Sequence, residues 1–332
     1  MTRGEWPATA PTGLVLGAVV VNWNDLDRSL ACLGSACSNS EAVIPILVDN
    51  GSEARHQLNA QNGFSGIMPG LELVRLEANR GYAAGLNAGA ARAFDLGATH
   101  VLLLNNDLEF ELNAITVLLK ASLQHPDSIL APVVAYADRP TVIWGAGGTV
   151  QRPWMENHHL HQGEAVARAT SGVVEWASGC ALLASKAVWE KVGPWDERYF
   201  LYEEDIDWCL RAAARGVTTW CVAESVFRHE VSRTAGRVLT DPTVLYYGCR
   251  NTHRLALIHN RGWAIKGWVV LTAAWSLLKA GLRLALFRSR RHDPLHRARC
   301  RALLDFLRGR FGPAPAMEPG PGIGSTAEAM IA

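Results

Sequence analysis

Charge of one sign is missing from this sequence: 32 Lys+Arg stand against 31 Asp+Glu over 332 residues, a formal net charge of +1. Spread evenly, such a balance would exclude a nucleic-acid binder. Paired thiols are missing too. None of the seven cysteines (Cys32, Cys37, Cys180, Cys209, Cys221, Cys249, Cys300) stands in C-x-x-C spacing. That excludes a zinc ribbon or redox dithiol and reads as reduced cytosolic thiols serving as small core residues. There is no internal repeat, and with 49% hydrophobic residues, 30 Gly and 15 Pro the chain is neither disordered nor collagenous over most of its length. The N-terminal apolar run Leu14 to Val21 is followed by Asn22-Trp23-Asn24-Asp25 where a cleavage site would need small residues. It reads as a buried strand, not a signal peptide.

What is present is uneven. Between Arg261 and Arg310 there are 12 Lys+Arg against two acids, Asp293 and Asp305, so this segment is +10 and the rest of the chain carries −9. An asymmetry of that size points to an anionic surface as a partner.

Continuous β-branched and apolar runs (Val15 to Val21, Val43 to Val48, Leu71 to Leu76, Val101 to Leu104) alternate with stretches of helical spacing (Leu26 to Cys37, Ala83 to Leu96). Unbroken apolar runs suit strands covered on both faces, which predicts a parallel α/β sheet with crossover helices. Polar clusters close these strands: Asn22-Trp23-Asn24, Asp49-Asn50-Gly51-Ser52 and Asn105-Asn106-Asp107. In an open α/β sheet that edge is where ligands bind. Further strands are expected at Ile129 to Val134, Val142 to Val150 and Gly179 to Ala184, with helices at Asn113 to Gln124 and Glu204 to Arg215. Thr243 to Arg310 reads as almost wholly helical, and 313–332 as a disordered Pro/Gly/Ala tail.

Four clusters carry chemistry, each with a plain structural alternative. Asp107 at a strand end suits a hard divalent cation with open positions for a diphosphate, or caps the helix near Asn113. The segment Asn79-Arg80-Gly81-Tyr82 to Gly89 follows a strand and opens a helix, favouring phosphate, or is a tight turn with close helix packing. Its spacing matches neither the dinucleotide fingerprint nor the P-loop. Glu203-Glu204-Asp205 and Asp207 crowd a helix start, where a carboxylate serves as general base on an alcohol or simply complements the helix dipole. His229, in His229-Glu230-x-Ser232, is a metal ligand or a polar strand end. His158, His159 and His161 read as solvated loop residues.

In order, VVNWN, DNGS, NRGYAAGLN, LLLNND, SGCALLASKAVWEKVGPWDERYFLYEEDIDWCLRAAARG and H-E-x-S resemble the inverting glycosyltransferases of family 2, and among them the rhamnosyltransferase-like group of bacterial polysaccharide enzymes. The resemblance runs from Val19 to Gly312. It implies a GT-A fold, an α/β Rossmann-like nucleotide-diphospho-sugar transferase fold with a C-terminal helical extension. It implies a catalytic domain over 1–240, with a nucleotide-sugar half (14–107) and an acceptor half (108–240).

By the same resemblance, Asn22 and Asp49 would hold the base and ribose, a carboxylate at N3–H favouring uracil or thymine. Arg80, Gly81, Asn87 and Asn106 would line the nucleotide-sugar pocket. Asp107 and His229 would hold Mg²⁺ or Mn²⁺, although Asn-Asn-Asp supplies one carboxylate where Asp-x-Asp supplies two. Asp205, or Glu204 beside it, would be the base, and Trp176, Ser178, Gly179, Trp195 and Asp196 would shape the acceptor side. The implied reaction moves a sugar such as L-rhamnose from a dTDP- or UDP-sugar to a lipid-linked saccharide.

Gly267 to Phe287 nearly suffices to span a bilayer, but Lys279 and Arg283 interrupt it. With Trp263, Trp268, Trp275 and the flanking Arg288, Arg290 and Arg291 it reads as a helix lying on an anionic cytoplasmic leaflet, with a buried amphipathic helix or a true span as alternatives. Tyr246, Tyr247, Arg250 and Asn251 match the group's Y-Y-x-x-R-N pattern and would tie this segment to the acceptor cleft, where basic residues meet a lipid diphosphate. A nucleotidyltransferase lacks its expected Gly-rich basic signature near Val19 to Asp27. A non-catalytic saccharide-binding protein is disfavoured by intact Asp107, Asp205 and His229, and a nucleic-acid binder by basic residues set among Trp and Leu.

Overall fold

A computed structural model describes residues 13–40, 43–54, 68–230, 241–286 and 293–315. The apolar runs of the first hundred residues form the middle of one mixed sheet. Strands β1 (Leu16–Asn22), β2 (Val43–Asn50), β3 (Glu72–Leu76) and β4 (His100–Leu104) are parallel and lie in the order β4-β1-β2-β3. Helices α1 (Leu26–Asn39) and α2 (Tyr82–Asp95) are the crossovers. Leu16, Ala18 and Val20 of β1 pack with Leu33 and Ala36 of α1, whereas Val19 and Val21 pack with Leu86 and Ala90 of α2. Both faces of β1 are therefore dry, which explains a run with no polar alternation.

Beyond β4 the strand direction changes. β6 (Ser128–Tyr136) and β11 (Ala181–Ser185) continue the sheet, with β11 antiparallel between β4 and β6. β12 (Thr218–His229) then runs parallel to β6, and β10 (Gly172–Val174) closes that edge. The short β5 (Leu108–Phe110) pairs with β12, and β7 (Ile143–Gly145) with β6. β12 is 12 residues long and ends at His229. A bulge between Val222 and Val226 interrupts its pairing, and the polar Glu224 and Ser225 there hide its continuity.

The histidine-bearing loop is instead a hairpin, β8 (Gly148–Gln151) and β9 (Glu156–His159). Its His159 lies between Trp144 and Trp176, at 4.6 and 5.0 Å between ring centroids, and burial with the nearby His229 charge lowers its pKa to about 4. His161 pairs with Glu164 at 3.3 Å. The solvated-loop expectation thus fails for His159, while His161 stays in a turn and partly exposed. Helix α3 (Ala114–Gln124) is capped by Asn113 in the left-handed region, which removes the capping alternative for Asp107.

Helices α4 (Lys186–Val192) and α5 (Glu204–Ala214) precede the C-terminal trio α6 (Pro242–His259), α7 (Trp263–Leu286) and α8 (Pro294–Leu307). Asp241 and Asp293 each accept two backbone N–H bonds at the starts of α6 and α8, with proline next in the chain. Ile206 and Leu210 of α5, Leu255 of α6, Val269 and Ala273 of α7 and Phe306 of α8 share one apolar cluster with Met155 and Trp176. Among the described residues α7 is the one helix long and apolar enough to cross a membrane, by length and composition alone. Its Val269 and Ala273 are buried, while Trp263, Leu271, Trp275, Leu278 and Leu282 are exposed. Ser232, Arg288, Arg290, Arg291 and 316–332 lie outside the described residues.

Candidate active site

The candidate residues gather where β1, β2 and β4 end and β11 begins. Several of them spend their side chains on the loops themselves. Asn22 accepts from the Asp25 N–H and the Ser29 hydroxyl and donates to Ser52 Oγ, which ties the loop after β1 to the loop after β2. Asn106 donates to Ser29 Oγ at 3.4 Å, extending that network to the end of β4. Asp49 accepts from the Ser52 N–H through Oδ1, while its buried Oδ2 has no hydrogen-bond partner and lies 3.4 Å from Arg75 Nε.

Asn50 carries a role that its neighbour's prominence conceals in the sequence. Its Nδ2 donates to Asn79 Oδ1 and Gly81 O, and its Oδ1 accepts from the Arg80 N–H, so it shapes the Asn79–Gly81 turn. Gly81 has φ +89°, and a Cβ there would sit 2.5 Å from Phe200 O. Only glycine lets this turn approach so closely. The next residue completes the junction, the Tyr82 N–H donating to Phe200 O at 2.7 Å. Arg80 is paired with Glu197 at 2.8 Å. Asn87 exchanges two hydrogen bonds with the Trp195 backbone, both at 2.9 Å, so its side chain locks α2 to the Trp195 segment.

Asp107 stands just past β4 with His229 Nε2 3.0 Å from its Oδ1. Burial raises its carboxyl, but the hydrogen bond and charge of His229, with Arg28, outweigh it and hold the group below the ordinary carboxylate range. Asp107 Oδ1 meets only His229 Nε2, and His229 Nδ1 is buried without a hydrogen-bond partner among the described residues. Trp144 packs edge-on against the His229 ring at 5.0 Å.

The acidic cluster begins α5. Asp205 Oδ2 accepts from the Gly179 N–H and Oδ1 from the Ile206 N–H, both at 2.8 Å. A Cβ on Gly179 would lie 2.9 Å from Trp195 and 3.1 Å from Asp205 Cβ, so the amide reaches the carboxylate only because the side chain is absent. Burial raises the Asp205 carboxyl. Glu204 is 5% exposed, its Oε2 has no partner, and burial together with the Asp205 charge drives it well above the usual range. Glu203 meets Asn157 of β9 and Thr252 of α6, and burial with the Asp205 charge pushes it up to about 8.

The two acidic centres converge on one strand junction. Asn105 donates to Cys180 O, and the Cys180 thiol, raised by burial to about 12, feels the charges of both Asp107 and Asp205. Tyr82 donates to Gly179 O at 3.1 Å, joining the glycine turn to the same point.

Trp176 and Trp195 are buried, Trp176 donating to Thr149 O and Trp195 stacking on Trp208, with its own Nε1 unpartnered. Asp196 is engaged by Arg254 of α6 at 2.7 Å and by Arg198 at 2.8 Å; burial raises it, but these bonds hold it near 2. Arg250 is 1% exposed and hydrogen-bonded through all three guanidinium nitrogens. The motif thus ties the C-terminal segment to the turn before α5, and the Arg250 guanidinium is spent on that tie.

Known proteins share this fold. A mannosyltransferase from Pyrobaculum calidifontis, solved with GDP-mannose and Mn²⁺, superposes with a TM-score of 0.54 over 92% of each chain at 14% identity. GalNAc-T7, solved with UDP, GalNAc and Mn²⁺, does so with a TM-score of 0.56 over 76% of this chain and 54% of its own. In sequence, the N-acetylglucosaminyl-diphospho-decaprenol L-rhamnosyltransferase of Mycobacterium tuberculosis is 28% identical over 250 residues, 67% of this chain and 78% of the relative. A dTDP-rhamnosyl transferase from Shigella flexneri is 22% identical over 245 residues, 72% of this chain and 78% of its own. The model of glycosyl transferase family group 2 matches residues 125–295, and that of glycosyl transferase family 2 matches residues 18–189, more than half the chain. With the sheet order and the strand-end acids already in place, the chain belongs to glycosyl transferase family 2, as a GT-A glycosyltransferase of rhamnosyltransferase-like type.

Proposed function

We propose that the protein transfers a sugar, L-rhamnose, from a dTDP- or UDP-sugar to a lipid-linked saccharide with inversion of the anomeric centre. The observation that carries this reading is the pairing of unlike carboxylates at one strand junction. Asp107 is held ionised beside His229, and Asp205 is oriented by two backbone amides and made more basic by burial. A base on an alcohol needs that orientation and a raised pKa. Glu204 beside it is also raised, by burial and by the Asp205 charge.

In the proposed step the acceptor hydroxyl oxygen bonds to the anomeric carbon while Asp205 takes its proton. The bond from that carbon to the diphosphate oxygen breaks, and the nucleoside diphosphate leaves with the electron pair. Residues 14–107 hold the donor, and Asp49, whose Oδ2 faces Arg75 at 3.4 Å and makes no hydrogen bond among the described residues, accepts from a uracil or thymine N3–H. Residues 108–240 supply the acceptor side.

Asp107 and His229 fit a divalent ion by their chemistry, an ionised carboxylate and an imidazole side by side, with the buried His229 Nδ1 lacking a partner among the described residues. Among the described residues no three or more His, Cys, Asp or Glu gather for one, so Mg²⁺ or Mn²⁺ would also need donor diphosphate and water. Once bound, the ion supplies positive charge at the leaving diphosphate. The names of the relatives support the donor sugar and lipid-diphosphate acceptor.

The exposed apolar face of α7, carried by a segment of +10, supports seating on an anionic inner leaflet. The buried Val269 and Ala273 favour a helix lying on the surface over one crossing it. The test is a thermal-shift panel of nucleotide sugars with Mg²⁺ or Mn²⁺, followed by transfer from the best binder to a synthetic N-acetylglucosaminyl diphospholipid. Stabilisation by dTDP- or UDP-sugars and a β-configured or α-configured product of inverted anomeric sense is expected. No stabilisation by any of them overturns the donor assignment.

A further inference from the structure

The four residues leading into α5 follow a path that local forces do not favour. Phe200, Tyr202 and Glu203 have φ of +66°, +66° and +72°. Phe200 has ψ −55°, and the Leu201 N–H donates to Tyr199 O at 2.8 Å, closing a three-residue γ-turn of the rare, strained hand. Such conformations persist only where surrounding structure over-determines them.

Here the surrounding structure is α6. Asn251 Nδ2 donates to Tyr199 O, Leu201 O and Tyr202 O at 2.9, 2.7 and 2.9 Å. Arg250 donates to Tyr199 O at 3.0 Å and, through Nε, to Asn251 Oδ1 at 3.0 Å, which fixes the amide's orientation. The carbonyl that these two leave alone, Phe200 O, turns the other way and accepts from Tyr82 at the start of α2. One strained turn thus divides consecutive carbonyls between the C-terminal helix and the Arg80–Tyr82 turn. Asp205 follows within three residues.

We infer that Arg250 and Asn251 are positioning residues for the reaction: from α6 they hold the γ-turn at Phe200 that places Asp205 and the Gly81 turn relative to each other. Without them, Leu201 O and Tyr202 O lose these donors, Tyr199 O keeps only the Leu201 N–H, and the turn relaxes toward ordinary dihedrals. The base then moves against the donor, and a displacement of about 1 Å is enough to cost on the order of 100-fold in rate. This inference rests on the proposed role of Asp205 for its kinetic part only.

The experiment uses the full chain carrying Asn251→Ala, with Asn251→Asp as the shape-preserving second variant and Arg250→Lys as the charge-preserving third. Hydrogen–deuterium exchange and transfer kinetics are measured side by side on those that keep a cooperative melt. Faster exchange in peptides covering 199–206, unchanged exchange in 100–104, unchanged affinity for dTDP with Mg²⁺, and kcat lower by about 100-fold are expected. Arg250→Lys, which keeps the charge but lacks the fork, should fall between Asn251→Ala and wild type.

Unchanged exchange in 199–206, or faster exchange with unchanged kcat, overturns the inference. If the wild-type chain transfers no sugar from any donor, the proposed function fails, while faster exchange confined to 199–206 still upholds the hold of α6 on the turn. Collapse of every variant to a non-cooperative melt assigns the pair to global folding and overturns a specific positioning role.

Discussion

Asp107 and Asp205 are the same residue type at two edges of one strand junction, and the protein treats them in opposite ways. At the end of β4 a histidine and an arginine hold Asp107 below the usual range; at the start of α5 burial lifts Asp205 above it. Environments that push two carboxyls apart assign them different chemistry. In the proposed reaction one keeps its charge throughout and the other gains a proton. Asp196 makes a third case, held near 2 by two arginines and committed to binding α6 to the catalytic body.

The sharpest way to break this contrast is Asp205→Asn, which removes the base but keeps the acceptor oxygen for the Gly179 amide. Transfer should fall by about 10³-fold, within the range for general-base loss, with dTDP or UDP affinity retained. Steady-state kinetics beside calorimetric titration check this; near-normal turnover would reassign the base.

Asp196→Ala is expected to act on stability instead. It strands the buried Arg254 guanidinium, and breaking such a pair costs about 3 kcal/mol, read from urea unfolding. The Asp196 contribution is present above the ordinary aspartate range and is lost as pH falls through about 2, so the variant and wild type should converge only in strong acid.

Asp107→Asn should weaken nucleotide diphosphate binding about tenfold in Mg²⁺ or Mn²⁺, roughly 1.4 kcal/mol, and leave metal-free binding nearly unchanged. Equal affinities with metal present would refute the ion's place there.

The smallest effect is expected from Glu203→Gln. A carboxyl raised to about 8 stabilises the fold fully below its unfolded value near 4.5 and loses that contribution as pH rises through 8. Glu203→Gln should therefore raise the melting midpoint at pH 9 relative to wild type and change it little at pH 4. An equal shift at both pH values would show that packing, not ionisation, is responsible.

Much of this molecule is legible in its sequence, for a physical reason. β1, β2 and β4 are short, apolar and covered on both faces, so composition alone marks them, and the polar clusters that end them mark the ligand edge. What sequence does not carry is which polar side chains are already spent. Asn22 and Asn87 look like ligand contacts, yet their hydrogen bonds go to Asp25, Ser29, Ser52 and the Trp195 backbone. Partners 30 or 108 residues away are set by tertiary structure, not by local spacing. The same holds for Asn251, whose three acceptors lie about 50 positions earlier. The extended β12 escapes notice because its bulge replaces apolar residues with Glu224 and Ser225.

The β8–β9 hairpin joins two regions far apart in the sequence. Trp154 at its bend packs against Trp268 of α7, with 4.2 Å between ring centroids, and Asn157, three residues along, donates to Glu203 at the head of α5. One part of the hairpin thus meets the helix with the exposed apolar face and another meets the acidic cluster, so a displacement of α7 would pass through four residues to the helix that carries Asp205.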